Sequence, residues 1–232
     1  MTMQMSTMPD FARLGPPAFE EQDLRFLFGH FPVPGVNLEE AVQLAIERPT
    51  TLESLLESDY VHEAIRDQQV LWLEVSPKLF FNVLLRRSLP GARNAQTRRS
   101  IHYLANLLGL FARTDRLYRV QQDEAQSFQY LVDLVQEAAN AGPERGFMVH
   151  SHIGNYALFL AGICRAWIDY RHQYKRRPVN VEYYCRMGRS YYFTASRHRM
   201  ADQLGLRPVF QDLAQRFDYY RGGLERMAQS WH

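Results

Sequence analysis

The sequence predicts an all-α fold, a compact multi-helix domain of about nine helices in orthogonal or bundle packing. Helix start and stop signals recur along the chain, and between them apolar side chains return at steps of three and four. Runs of alternating β-branched residues are nearly absent. With 232 residues, 46% of them hydrophobic and 13% aromatic, the chain can bury a substantial core.

Beyond Pro16-Pro17, an amphipathic segment from Phe19 to Phe28 ends at Gly29, and residues 30–35, with two prolines, read as a loop. Asn37 caps a helix over Leu38 to Arg48, Glu40 completes a capping-box arrangement, and Pro49 ends it. A shorter segment over Thr51 to Glu57 continues with a bend through Asp59 to Gln68. Ser76-Pro77 pairs a good N-cap with the residue that suits the first helical position, and the helix runs to about Ser88, before Pro90-Gly91. Asn94 caps Ala95 to Arg113, where Ile101, Leu104, Leu108 and Phe111 form one stripe. Asp123 to Ala141 repeats the pattern and stops at Gly142-Pro143.

An apolar helix over residues 147–168 follows, and then a basic, polar connector, Tyr170 to Arg177, closed by Pro178. Asn180 caps a helix that reaches Leu204, with Gly205 beyond it. Pro208 opens the last helix, in which Phe210, Leu213, Phe217, Tyr220, Leu224, Met227 and Trp231 make a heptad seam. Neither a long linker nor an internal repeat divides the chain. The expectation is a mobile segment over residues 1–15 and one helical domain over residues 16–232, with the 147–168 helix at its centre.

Charge is unevenly placed. The net charge is +2, but residues 1–80 hold 13 acidic and 5 basic side chains, so the remainder carries +10. This fits two complementary surfaces of one fold, or a basic face awaiting an anionic partner. Cys164 and Cys185 lack C-x-x-C spacing and read as reduced thiols of a cytoplasmic protein. The opening residues lack the basic and apolar regions of a signal peptide. His150, His152, Asn155 and Arg165 argue against a lipid-facing span for the 147–168 helix, so no membrane partner is expected.

Metal chemistry finds little support. His150 and His152, two apart on a helix, point about 200° from each other and cannot grip one ion. Asp59, His62, Glu63 and Asp67 share a face, yet no Glu-x-x-His pair of the di-iron type occurs, and the group reads as a solvated acidic face. There is no G-x-S-x-G elbow, no phosphate-cradling Gly-Lys-Ser or Gly-Lys-Thr loop and no G-x-G-x-x-G. No metal and no cofactor are expected.

Three functional readings stay open. The leading one is a non-enzymatic interaction or regulatory protein that self-associates, as a homo-oligomer or with another protein, through the seam of the last helix. The second is an enzyme or small-molecule-binding protein with a polar pocket formed by His150, His152, Asn155 and Tyr156, set against a structural hydrogen-bond network of the same residues. The third is a nucleic-acid-binding module. In residues 183–200, four tyrosines interleave with Arg186, Arg189, Arg197 and Arg199, beside the run Lys175-Arg176-Arg177, so rings can stack on bases and guanidinium groups pair with phosphates. The competing reading is an aromatic core face with a basic outer face, Gly188 and Ala195 allowing close helix packing.

Overall fold

The computed structural model describes residues 9–12, 19–29, 37, 40, 47–66, 75–91, 94–122, 124–176 and 178–230. Among them are thirteen α-helices and no strand. The all-α expectation holds, and the helix number exceeds the nine expected because several long elements are broken. Most of the expected helix over residues 38–48, and the end of the seam at Trp231, lie outside the described residues.

The first half of the chain supplies part of the core. A 3-10 turn at Asp10–Ala12 buries Phe11 and is held by a two-pronged ion pair from Asp10 to the buried Arg116, so these residues of the segment expected to be mobile are packed. Helices α1 (Glu21–Gly29), α2 (Pro49–Leu56) and α3 (Asp59–Arg66) follow. Pro49 stands at the start of α2, where its missing N–H costs no hydrogen bond. Next come α4 (Pro77–Ser88) and α5 (Ala95–Phe111), which pack on each other. Their caps are those read from the sequence: Leu79 N–H donates to Ser76 Oγ at 3.2 Å and Thr97 N–H to Asn94 Oδ1 at 2.7 Å.

A short helix α6 (Thr114–Leu117) leads to α7 (Leu131–Asn140), which starts eight residues later than Asp123. Tertiary bonds hold residues 124–130 out of the helix. Phe128 is buried, its N–H donates to the Tyr118 carbonyl at 2.7 Å, and Glu124 pairs with Arg145.

The expected 147–168 helix is two helices. α8 (Pro143–Gly162) and α9 (Arg165–Tyr174) meet at a bend of 79°. The bend keeps Ile168 buried while the charged and aromatic residues of α9 face outward, so most of the connector predicted over Tyr170 to Arg177 is helical instead. No single helix among the described residues is long and apolar enough to cross a membrane.

The remaining expected helices also break. One becomes α10 (Val181–Ser196) and α11 (Arg199–Gln203), and the other becomes α12 (Arg207–Gln215) and α13 (Phe217–Gln229), turning at Arg216. That turn lets Phe210 and Leu213 on one side and Phe217, Tyr220, Leu224 and Met227 on the other all reach the same core. Helix α8 lies at the centre, packed along α10 and against α7, α9 and α13. Two glycines set the approach of its neighbours. A Cβ at Gly154 would lie 2.8 Å from the Tyr192 ring, and one at Gly188 would lie 2.3 Å from the Phe217 ring.

Candidate functional site

The four polar residues predicted on α8 do not converge. Asn155 is buried, and its Oδ1 accepts from Tyr103 at 2.7 Å and from Tyr192 at 2.9 Å. Burial pushes both phenols well above their ordinary pKa, so they remain donors and the bonds are permanent. His152 is buried too. Its ring bonds the backbone at Leu117, its edge meets Phe111, and its Nε2 has no hydrogen-bond partner. Burial, with the charges of Arg116 and Arg145, holds its pKa down at about 3 and keeps it neutral. His150 faces the opposite way, with Nδ1 3.1 Å from His198 Nε2. Burial lowers the pKa of both, and only one proton can lie between them. Tyr156 alone of the four reaches an open cavity.

The predicted anion-binding arginines are also dispersed. Arg189 pairs with Asp218 and lies over Phe217, so its charge is answered within the fold. Arg186 is exposed on α10, Arg197 lies over the ring of Phe193 just beyond the helix, and Arg199 opens α11. The seam of the last helices is buried inside the chain from Phe210 to Met227, where its side chains pack in the core. Gly188 and Ala195 do mark close packing, as their size implied.

A second polar cluster escaped sequence reading. Arg86, buried in α4, donates to Glu53 at 2.7 Å, to Glu57 at 3.0 Å and to Asn82 at 2.8 Å. Asn82 Nδ2 donates to His102 Nδ1 at 2.9 Å, so the ring proton sits on Nε2 and goes to Glu53 at 2.9 Å. Burial alone would raise the pKa of Glu53, but His102 and Arg86 outweigh it and hold the carboxylate at about 2. Both ring nitrogens of His102 and both carboxylates are engaged, leaving no free base for proton transfer. The cluster ties α2, α4 and α5 together, and no spacing in the sequence announces a contact between residues 53, 86 and 102.

An aromatic cleft opens on the described surface. It measures about 540 Å³ and lies between α8, α9, the start of α10 and the segment before α7. Six rings line it: Tyr118, Tyr130, Tyr156, Trp167, Tyr183 and Tyr184. Trp167 and Tyr130 are 49% and 59% exposed, a large apolar cost to leave in water unless something covers them. The Arg171 guanidinium lies 4.4 Å from the centre of the Trp167 ring and has no carboxylate partner among the described residues. Burial raises the pKa of Tyr156 and Tyr184, and the Arg171 charge opposes that rise. The Tyr156 hydroxyl reaches the Gln129 carbonyl at 3.5 Å, long for such a bond.

The bend after α8 builds this cleft by throwing α9 sideways over the tyrosines of α8 and α10. A signal existed in the sequence: Trp167, Tyr170, Arg171 and Tyr174 stand at helical steps of three, four and seven, an aromatic and basic face. Reading 147–168 as one straight rod hid it. Among the described residues no group of three or more His, Cys, Asp or Glu side chains is placed to hold a metal ion. No family model, curated protein or solved structure matches this chain.

Proposed function

We propose that this protein binds a planar organic anion in the cleft beneath α9. The observation that carries the reading is the Arg171 guanidinium lying over Trp167, without a carboxylate partner among the described residues, at a cavity walled by six aromatic rings. A volume of about 540 Å³ suits a ligand of cofactor or metabolite size. The ligand's flat apolar body lies among the rings, its negative group meets Arg171, and protonated tyrosine hydroxyls donate to its acceptors.

The test uses 8-anilinonaphthalene-1-sulfonate, a planar aromatic anion, with the full chain under native conditions. The expected result is one saturable site with enhanced dye fluorescence, lost in Trp167→Ala and weakened in Arg171→Leu, while circular dichroism stays unchanged. Dye enhancement that Trp167→Ala does not alter, or none at all with native protein, overturns the reading. Self-association through the exposed rim of Tyr130, Val132 and Tyr174 is the competing use of this surface. A dimer in light scattering that excludes the dye would favour that use.

A further inference from the structure

We propose that the anion taken by this surface is single-stranded nucleic acid, with bases stacking on the rings of the cleft and phosphates following Arg171, Lys175 and Arg176. The inference rests on the cleft being a site for planar anions, and it names the ligand class.

The cleft is not isolated. A second, shallower cavity of about 670 Å³ adjoins it, lined by Trp167, Tyr170, Arg171, Lys175, Arg176 and Pro178. The two share Trp167, Arg171 and Pro178 as a common wall. One cavity suits one ring, whereas two in series along a shared aromatic and cationic wall suit a ligand that repeats a flat group and an anion. Tyr170 and Tyr174, both more than half exposed, lie against each other with centroids 5.2 Å apart and rings tilted by 36°, and carry the ring surface past the second cavity.

Charge points the same way. Residues 170–200 contain eight lysines and arginines against a single carboxylate, Glu182, which lies 3.9 Å from Arg189 and so answers a cation away from the cleft. Arg171, Lys175 and Arg176 have no ion-pair partner among the described residues, although most arginines elsewhere in the fold have one. Arg186, one turn along α10 from Tyr183, is exposed. Unpaired cations beside exposed rings are the two parts from which single-strand surfaces are made.

Arg176 adds a third observation. Its φ of 47° is the left-handed conformation that glycine adopts more cheaply, and here the position carries a cation at the edge of the second cavity. A lipid surface fits less well. Interfacial binding needs one continuous apolar face, whereas Trp167, Tyr130, Tyr183 and Tyr184 line concave cavities. A duplex hides the base faces that the rings would stack on.

Fluorescence anisotropy with labelled oligothymidine and oligouridine, a matched duplex and the full chain tests this. Single strands should bind at low salt, at least about tenfold more tightly than duplex. Lys175→Ala and Arg176→Gly should each reduce the slope of log affinity against log salt by about 0.7. Trp167→Ala should weaken binding about tenfold at every salt concentration while leaving that slope unchanged. Failure of oligonucleotides to bind at low salt, with the dye still bound, overturns the strand inference and leaves the planar-anion reading standing. Failure of both probes removes both. Equal binding of duplex and single strand, strand binding indifferent to Trp167→Ala, or binding of phosphatidylserine vesicles in place of oligonucleotides each overturns the inference.

Discussion

At the centre of the molecule Tyr103 and Tyr192 are buried and both donate to one acceptor, Asn155. At the cleft, Tyr130 and Trp167 are about half exposed, and Arg171 has a ring beneath it but no carboxylate partner among the described residues. The Arg86 cluster makes the same contrast for cations, since there one guanidinium is held by two glutamates and an asparagine. Identical residue types therefore serve two ends in this chain. Where every donor has its acceptor, the group holds helices together. Where rings and charges are left open side by side, the surface is the one proposed to take a ligand.

That contrast can be broken most forcefully at Arg86. Replacing it with leucine leaves Glu53, Glu57 and Asn82 without their shared donor and should cost about 3 kcal/mol, read as a shift in urea midpoint at unchanged slope. Asn155→Leu removes the acceptor of two buried hydroxyls and should cost about 2 kcal/mol by the same measurement. Dye binding at the cleft should survive both changes wherever the variant remains folded. Loss of the site in a folded Asn155→Leu protein would show that core network and cleft are one unit.

Acid sharpens the comparison. His152 has a folded pKa of about 3 against an ordinary value of 6.5, so below 6.5 the unfolded chain takes up a proton that the folded chain refuses. Its contribution is complete above 6.5 and is lost as pH falls towards 3, at up to about 1.4 kcal/mol per pH unit. Glu53, lowered from 4.5 to about 2, adds a second loss that begins below 4.5 and is complete once pH has fallen through 2. A melting-temperature series from pH 7 to 4 should slope downward, and His152→Leu should flatten it. A profile that the variant does not change would refute the assignment.

The smallest stability effect belongs to the open surface. Arg176→Gly relieves a left-handed arginine but frees the unfolded backbone, so stability should stay within about 1 kcal/mol of the parent. The binding effect of that variant comes from charge alone.

Much of the architecture was legible because capping and apolar spacing are local. Ser76, Asn94 and Asn180 sit at the caps they announce, and the stripe of Ile101, Leu104, Leu108 and Phe111 faces the core. What was not legible depends on contacts distant in sequence. Residues 124–130 carry a helical pattern, but the Phe128 N–H is taken by Tyr118 and Glu124 by Arg145. The bend at Ile163–Cys164 has no proline to mark it, and the cleft exists only because of that bend. Of the expected pocket, Tyr156 alone belongs to the cleft, since Asn155 and His152 are taken up by bonds to residues far away along the chain.

Trp167→Ala, followed by thermal unfolding and dye titration on one sample, separates the two kinds of site most directly. The expected result is a melting temperature within about 3 °C of the parent together with loss of the saturable dye site. A drop of about 10 °C or more, with dye binding retained by the folded fraction, would contradict it, because Trp167 would then hold the helices together and leave the cleft without a ligand.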